Sequence, residues 1–364
     1  MTFKTSFADI LAKIDAIDPN AYAKTRNFVD GAVSYLSPYI SRGVISTHFV
    51  LHRLIEKGHD VLQMEKFVQE LAWRDYWQQI WVSKGNEINK DLKQDQPDFN
   101  NNEMPTALTN SSTGIEIIDT QIKHLQETGY LHNHMRMYLA SIACNIGKSH
   151  WKVPAQWMYY NLLDGDWASN ALSWQWVAGA NANKKYYANQ ENINTFFYSK
   201  EKGTFLDVPY EEFPDLNIPP VLQETTLPKL TTWLPKSDEL NIDGTLPTLI
   251  YNYYNLDPKW NENLVANRVL IFEPSIFTQY PVAKHCIEFC LSLAQNIPNL
   301  KVFVGEFEDL KLQTGNSRLH FKEHPLNTSY QGTEEPRDWM FSATGYYPSF
   351  FSFWKKCKKE IKAW

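Results

Sequence analysis

The chain has 364 residues, a formal charge of −6 and 14% aromatic residues. A chain of this length can bury a sizeable core without disulfides or metals. Its acidic balance argues against a globally basic nucleic-acid-binding protein, although a local basic groove remains compatible with it. No segment is apolar enough to span a bilayer, and the first residues lack a signal-peptide pattern. We therefore expect a cytoplasmic protein with no membrane partner.

Apolar residues recur at three- and four-residue spacings from Phe3 to about Phe197, which predicts a helical domain over residues 1–200. Residues 201–247 carry repeated prolines and little periodicity, so we expect an extended connector. Residues 248–364 contain the short apolar runs TLIYNYYNL, RVLIFEP and LKVFVGEF, a helical pattern before the last run, and a final helix near SFFSFWKKCKKEIKAW. The predicted fold class is mainly α, with a smaller C-terminal α/β segment.

The cysteines are scattered and contain no Cys-x-x-Cys pair, which predicts buried thiols in a reducing compartment. They are Cys144, Cys286, Cys290 and Cys357. An iron–sulfur cluster is not predicted from this spacing. His132 and His134 are two residues apart and face apart on a helix, so they do not predict a metal site either.

Two clusters combine charged and aromatic residues. In KFVQELAWRDYWQQIW, Glu70 and Arg74 share one helix face, either as an exposed ion pair or as partly desolvated groups among aromatic rings. In LLDGDWASNALSWQW, Asp164 and Asp166 could be a general acid and base, metal ligands, acceptors for a ligand's polar hydrogens, or part of a plain turn. Each cluster alone leaves these alternatives open.

The series GAVSYLSPYISRG, ELAWRDY, TGYLHNHMRM and LLDGDWASNALSWQW resembles the FAD-binding domain of photolyases and cryptochromes, over roughly Tyr22 to Asn194. The resemblance implies a helical domain that binds FAD and uses blue light. Members of this family normally begin with an α/β antenna domain, and none precedes Phe3 here, so an antenna chromophore is not predicted. The C-terminal α/β part lacks a G-x-G-x-x-G fingerprint and is too short and irregular to predict a complete dinucleotide fold.

The resemblance also implies which residues contact the cofactor. Hydroxyl and backbone N–H groups near residue 35 suit a pyrophosphate, and an arginine can stabilise an anionic reduced isoalloxazine and pair with Asp164. Asn170 matches the position that faces flavin N5, and an amide there favours a photolyase-like cycle over a cryptochrome-like one. The family's usual Thr and Arg are replaced by Val33 and Tyr35. The implied FAD-binding residues are Tyr22, Ser34, Leu36, Ser37, Arg74, Asn133, Arg136, Asp164, Asp166 and Asn170.

Further positions match residues that contact a cyclobutane pyrimidine dimer, namely Glu70, Trp73, Met137 and Trp176. Trp174 and Trp151 match the inner members of a tryptophan electron chain, whose outer position holds Leu108. Another aromatic could complete a rerouted chain, with Trp157, Tyr159 and Trp81 as candidates. The implied catalytic set is Glu70, Asn133, Asn170, Trp174 and Trp151. Lys184 and Lys185 are candidate contacts for DNA phosphates, or an ordinary solvated loop.

Together these features predict a deoxyribodipyrimidine photo-lyase of the cyclobutane-dimer type. Reduced FAD would drive the splitting of pyrimidine dimers in DNA, and the protein would act as a monomer. The alternative is a cryptochrome-like blue-light photoreceptor without repair activity. A light-independent flavin protein or single-stranded nucleic-acid-binding protein is a third class that an aromatic surface would serve.

Overall fold

A computed structural model of the protein describes residues 2–361. Its helices in chain order are α1 (Phe7–Asp15), α2 (Pro19–Thr25), α3 (Ser37–Ser41), α4 (Thr47–Glu56), α5 (Glu65–Lys84), α6 (Thr106–Thr109), α7 (Glu116–Thr128), α8 (Asn133–Ser141), α9 (Lys152–Asn161), α10 (Trp167–Ala178), α11 (Gln190–Phe197), α12 (Pro274–Gln279), α13 (Lys284–Ala294), α14 (Phe307–Thr314) and α15 (Phe350–Ile361). Its strands are β1 (Met104–Pro105), β2 (Thr225–Thr226), β3 (Thr248–Tyr251), β4 (Asn267–Phe272), β5 (Leu300–Val304), β6 (Leu319–Lys322) and β7 (Thr333–Glu335). The helical first part and the C-terminal α/β part therefore agree with the predicted fold class. The last three residues of the predicted final helix lie outside the described residues. None of the helices within residues 2–361 has the length and apolar content that a membrane span requires.

The chain divides into two compact units that are not consecutive in sequence. The first unit comprises Met1–Pro19, Ser34–Ser83 and Thr231–Trp364, and the second comprises Asn20–Val33 and Lys84–Leu230. This division differs from the three consecutive segments proposed from the sequence. The difference arises because α5 bonds to the C-terminal part of the chain: the buried carboxylate of Asp75 accepts a hydrogen bond from the Met340 N–H at 3.0 Å.

In the second unit, α10 packs against α8 and α9. Apolar residues occupy most sides of α10 and eight of its twelve residues are buried, so this helix is largely buried rather than amphipathic. Its one fully buried amide, Gln175, accepts a hydrogen bond from the Leu92 N–H and donates one to the Ile88 carbonyl. These two bonds satisfy a polar group that would otherwise be costly in the core.

The first unit contains a five-stranded sheet in which every neighbouring pair is parallel. The strand order is β5-β4-β3-β6-β7, so β3, the first strand of this sheet in the chain, lies at its centre. This is the order of dinucleotide-binding α/β folds without their sixth strand. Only the first three strands were predicted from the sequence. The segments of β6 and β7 are short, and charged or polar residues interrupt them, so they gave no clear strand signal.

One face of the sheet carries an apolar core. Residues of β3, β4, β5 and β6 pack here against Phe307 and Leu310 of α14. The connector contributes Leu240 and Ile242 to the edge of the same core. At the end of β4 the buried carboxylate of Glu273 accepts a hydrogen bond from the Tyr330 hydroxyl at 2.5 Å. The α/β segment is therefore a packed domain core rather than an irregular extension.

Gly43 fixes a close approach of two backbone segments in the first unit. Its φ is +62°, and a Cβ added there would lie 2.3 Å from the carbonyl oxygen of Tyr254. We predict that Gly43→Ala lowers the free energy of unfolding by about 2 to 5 kcal/mol, because left-handed strain and backbone overpacking add. Urea unfolding measures this loss.

Gly58 provides the matched control. Its φ is +91°, but a Cβ added there would meet no atom within 4 Å. Gly58→Ala should therefore cost only the backbone strain, about 1 kcal/mol. Equal losses in the two variants would contradict the steric argument for Gly43.

Candidate functional site

A buried ion pair lies in the second unit beside the start of α10. The Arg136 Nη2 atom donates to both carboxylate oxygens of Asp164, at 3.0 and 2.9 Å. The Asp164 side chain is 4% exposed and that of Arg136 is 22% exposed. Arg136 Nε also donates to the Leu131 carbonyl, which fixes the guanidinium plane. Arg136 is thus an arginine that pairs with Asp164.

The second carboxylate of the DGD motif begins α10. Asp166 is buried and accepts a hydrogen bond from the Ser169 N–H at 2.8 Å, as an N-cap residue does. One turn into the helix, the half-buried amide of Asn170 donates to the Ala155 carbonyl at 2.8 Å. Asp164, Asp166 and Asn170 are therefore held in one segment of the second unit. The capping bond gives Asp166 a structural role whether or not it contacts a ligand.

His132 begins α8 in the same unit. Its Nδ1 atom accepts from the His134 N–H, and burial lowers the pKa of His132 to about 4, so the imidazole is neutral at physiological pH. The next residue, Asn133, is exposed, and Met137 is half-buried one turn later. No group of three or more metal-ligating side chains is found within residues 2–361.

Trp151 is fully buried and bonded to a carboxylate. Its indole N–H donates to Asp91 Oδ1 at 2.6 Å. Hydrogen bonds from His150, Trp151 and Gln96 outweigh the opposing effect of burial and hold the pKa of Asp91 below its usual value. The ring of Trp151 lies 6.5 Å from that of Trp167.

Trp167 in turn lies 5.6 Å from Tyr159, edge to face. All three rings and that of Trp174 are buried. Tyr159, one of the predicted substitutes for the outer tryptophan, is therefore linked to Trp151 through Trp167. Trp167 itself was not identified from the sequence.

The α5 residues of the predicted site lie in the first unit. Glu70 forms an ion pair with Lys66 at 2.9 Å, and its side chain is 28% exposed. Arg74 Nη2 donates to the buried hydroxyl of Ser41 at 2.7 Å. Both charged groups are half-buried, which agrees with the partly desolvated interpretation of this cluster.

Trp73 carries an aromatic ring directly on one of its faces. The ring of Phe350, the first residue of α15, stacks on it at 3.7 Å between centroids and 9° between planes. Phe350 is 2% exposed. This contact was not predicted from the sequence, although the apolar spacing of Phe350, Phe353 and Trp354 predicts a helix that needs a partner surface.

The predicted phosphate segment also lies in the first unit, except for Tyr22 of the second. Leu36 is buried and precedes α3, Ser37 is its first residue, and Ser34 is half-buried. Tyr35 adopts a positive φ of 54°, which turns the chain ahead of α3. Ser34, Ser37 and Tyr22 are each half-buried, so a ligand could still contact them.

Trp176 presents an exposed ring at the end of α10. It is 40% exposed and lies 5.8 Å from the ring of Tyr186. Of the two nearby lysines, Lys184 is exposed, whereas Lys185 is 8% exposed and pairs with Asp98 at 3.2 Å. Lys184 is therefore the better candidate for a phosphate contact.

The residues around the Arg136–Asp164 pair fit a large polar cofactor. Ser169 Oγ is buried and makes no hydrogen bond to any described residue, although Ser169 adjoins Asn170 and its N–H bonds to Asp166. A buried hydroxyl of this kind needs a partner, and a ligand with many polar atoms can supply one. The guanidinium of Arg136 adds a cation, and the amide of Asn170 adds a hydrogen-bonding group. Arg136, Asp164, Ser169 and Asn170 would hold the cofactor from the second unit.

Comparison with known proteins identifies this region. Residues 67–205 match the family model described as the FAD binding domain of DNA photolyase. A deoxyribodipyrimidine photo-lyase of Streptomyces griseus is 35% identical over 150 residues, 41% of this chain and 32% of that protein. A deoxyribodipyrimidine photo-lyase of Alkalihalophilus pseudofirmus is 27% identical over 205 residues, 54% of this chain and 42% of that protein. The chain thus spans between a third and a half of the length of these relatives.

Solved structures of the same kind are also similar in part. A cryptochrome of Synechocystis aligns with 54% of this chain and 44% of its own at 22% identity and a TM-score of 0.49. A bacterial class III photolyase of Agrobacterium tumefaciens aligns with 52% of this chain and 41% of its own at 26% identity and a TM-score of 0.45. The family match confirms the resemblance found in the sequence and the cofactor that it implied. Within residues 67–205 the chain is therefore similar to the FAD-binding domain of DNA photolyases.

Proposed function

We propose that the protein is a deoxyribodipyrimidine photo-lyase that repairs cyclobutane pyrimidine dimers in DNA, acting as a cytoplasmic monomer. The observation that carries this proposal is the buried Arg136–Asp164 pair followed by Asn170, within the segment that matches the photolyase FAD-binding domain. The relatives named as deoxyribodipyrimidine photo-lyases support the same activity.

The chain's own residues would hold and tune the cofactor. When bound, reduced FAD supplies the electron that splits the dimer under blue light. Arg136 would place a permanent positive charge in the site, and Asp164 would keep that charge oriented. Asn170 offers an amide, which hydrogen-bonds without readily giving up a proton. Asn133, Asp166 and Arg74, with Tyr22, Ser34, Leu36 and Ser37, complete the proposed FAD contacts.

Trp174 and Trp151 are proposed to carry electrons through the second unit. Leu108 stands at the expected outer position, so a different aromatic must extend the route. The contacts of Trp151 with Trp167, and of Trp167 with Tyr159, support an extension through these two rings. The carboxylate of Asp91 would accept the indole proton when Trp151 loses an electron, because it already accepts that hydrogen bond.

The dimer contacts are proposed from the family resemblance to be Glu70, Trp73, Met137 and Trp176. Glu70 would accept a hydrogen bond from a base edge, and the flat indole rings would stack on the flipped bases. The exposed ring of Trp176 supports such a role.

A cryptochrome-like photoreceptor is the second candidate, and one observation favours it. Phe350 already stacks on Trp73, so that face is not open to a base in this structure. A photoreceptor without repair activity has no need of an open Trp73 face.

The deciding experiment is blue-light repair of an oligonucleotide with a single cyclobutane dimer. Glu70→Ala should lower the repair rate roughly tenfold to a hundredfold, because a hydrogen bond to a charged group is lost. Lys66→Ala is the matched control, since it removes the ion-pair partner of Glu70 but keeps the carboxylate. It should repair at nearly the unmodified rate.

Two other results would reject the proposal. Protein that retains FAD but reverses no dimer in single- or double-stranded DNA points to the photoreceptor. Colourless protein that cannot be reconstituted with FAD excludes both functions.

A further inference from the structure

The C-terminal segment is attached along α5 by several specific contacts. Tyr76 Oη donates to the Tyr347 carbonyl at 3.3 Å, and the Gly345 N–H donates to Gln79 Oε1 at 2.9 Å. Further along, Lys358 forms an ion pair with Glu65 at 2.6 Å. These contacts place α15 against the α5 surface that carries Trp73.

The contact of Phe350 with Trp73 has the geometry of a base-stacking interaction. Aromatic pairs in protein interiors usually prefer edge-to-face or offset arrangements over a parallel sandwich. Here the planes are 9° apart and the centroids are 3.7 Å apart, which is the separation of stacked planar rings. Phe350 therefore covers one face of the indole in the way that a nucleobase would.

The outer face of α15 is basic in a chain of net negative charge. The helix contains four lysines and one glutamate, and Lys355, Lys356 and Lys359 are exposed. A local positive face on an acidic protein attracts polyanions such as nucleic-acid phosphates. The helix that covers Trp73 is thus also one that DNA would approach.

We propose that α15 is an intramolecular cover of a nucleobase-binding face on Trp73, with Phe350 in the position of the base. DNA binding at this face requires Phe350 to leave the indole. Gly345 precedes α15 with a φ of +89° and open space around its α-carbon, which gives the segment a point at which it can bend. The inference rests on the proposed function, because that function assigns Trp73 to a base.

The test measures dark binding of a fluorescently labelled single-stranded oligothymidylate, with and without one cyclobutane dimer, to the FAD-loaded protein. Phe350→Ala should lower the Kd about two- to tenfold, since the internal competitor loses its stacking energy. Phe351→Ala is the control, because this neighbouring ring is 70% exposed; it should change the Kd less than twofold. The tighter binding caused by Phe350→Ala should be absent from the double variant Trp73→Ala/Phe350→Ala.

Phe350→Leu guards against a failure of Phe350→Ala to fold, because leucine keeps apolar volume without a flat ring. Folded Phe350→Ala or Phe350→Leu protein that binds no more tightly than the unmodified protein would overturn the proposal. Measuring blue-light repair in the same variants separates a failure of the cover proposal from a failure of the proposed function. Tighter binding without repair in any variant supports the cover and rejects the repair activity. Repair by the unmodified protein with no change in Phe350 variants rejects the cover alone.

Discussion

Replacing Arg136 with alanine is expected to lower the free energy of unfolding by about 3 to 5 kcal/mol, because the buried carboxylate of Asp164 loses the guanidinium that bonds both of its oxygens. The Asp164 side chain is 4% exposed, so water cannot replace the guanidinium fully. The same substitution removes the hydrogen bond to the Leu131 carbonyl. Urea unfolding measures the loss of stability, and absorbance of the purified protein near the flavin bands measures the expected loss of bound FAD.

Two variants test the cause of this loss. In Arg136→Ala/Asp164→Ala the buried charge is absent, so the double variant should be more stable than Arg136→Ala alone. Lys284→Ala breaks an exposed pair with Glu288 and should cost less than about 1 kcal/mol. An Arg136→Ala protein as stable as Lys284→Ala would show that Asp164 does not depend on its partner.

Asp75 is expected to make the stability of the protein depend on pH between about 4 and 6. Burial raises the pKa of this carboxyl to about 6, against the opposing hydrogen bonds from Met340 and Thr47. Between the two pKa values the folded state binds a proton that the unfolded state has lost. The free energy of unfolding therefore falls as pH rises through this range, by about 3 kcal/mol in total.

Asp75→Asn should flatten most of this slope, because the amide cannot ionise and can still accept a hydrogen bond. A smaller slope should remain, since burial also raises the pKa of Asp257 and Glu273. Urea unfolding at pH 4, 5, 6 and 7 measures the slope for the unmodified protein and for Asp75→Asn. Asp9→Asn serves as the control: Asp9 lies on the surface, and its hydrogen bond with Ser6 lowers its pKa, so the slope above pH 4 should persist. A slope as steep in Asp75→Asn as in the unmodified protein would assign the pH dependence to another group.

The cofactor domain could be predicted from the sequence because its signals are local. Asp164, Asp166 and Asn170 lie within seven residues, and their short spacing places them at one helix start. The motif series also indicated that an arginine pairs with Asp164. It did not distinguish Arg74 from Arg136, since that choice depends on how α8 packs against α10.

The C-terminal part was harder to predict because its determinants are distant in sequence. Four-residue β6 pairs with β3, and the intervening chain includes β4, β5 and the three helices α12, α13 and α14. No local pattern indicates that a central strand will gain a neighbour so far along the chain. The stacking of Phe350 on Trp73 is similarly invisible to periodicity, which reports only that each helix has an apolar face.

The discontinuous first unit also sets an order for folding during synthesis. Asp75, Gln78 and Gln79 are buried polar side chains of α5 whose partners include Met340, Arg337 and Gly345. A nascent chain that has reached the middle of its length therefore exposes α5 without these C-terminal partners. The contacts between α5 and the C-terminal residues join positions far apart in sequence, so they can form only late in synthesis. Chaperones would therefore bind α5 before its partners emerge from the ribosome.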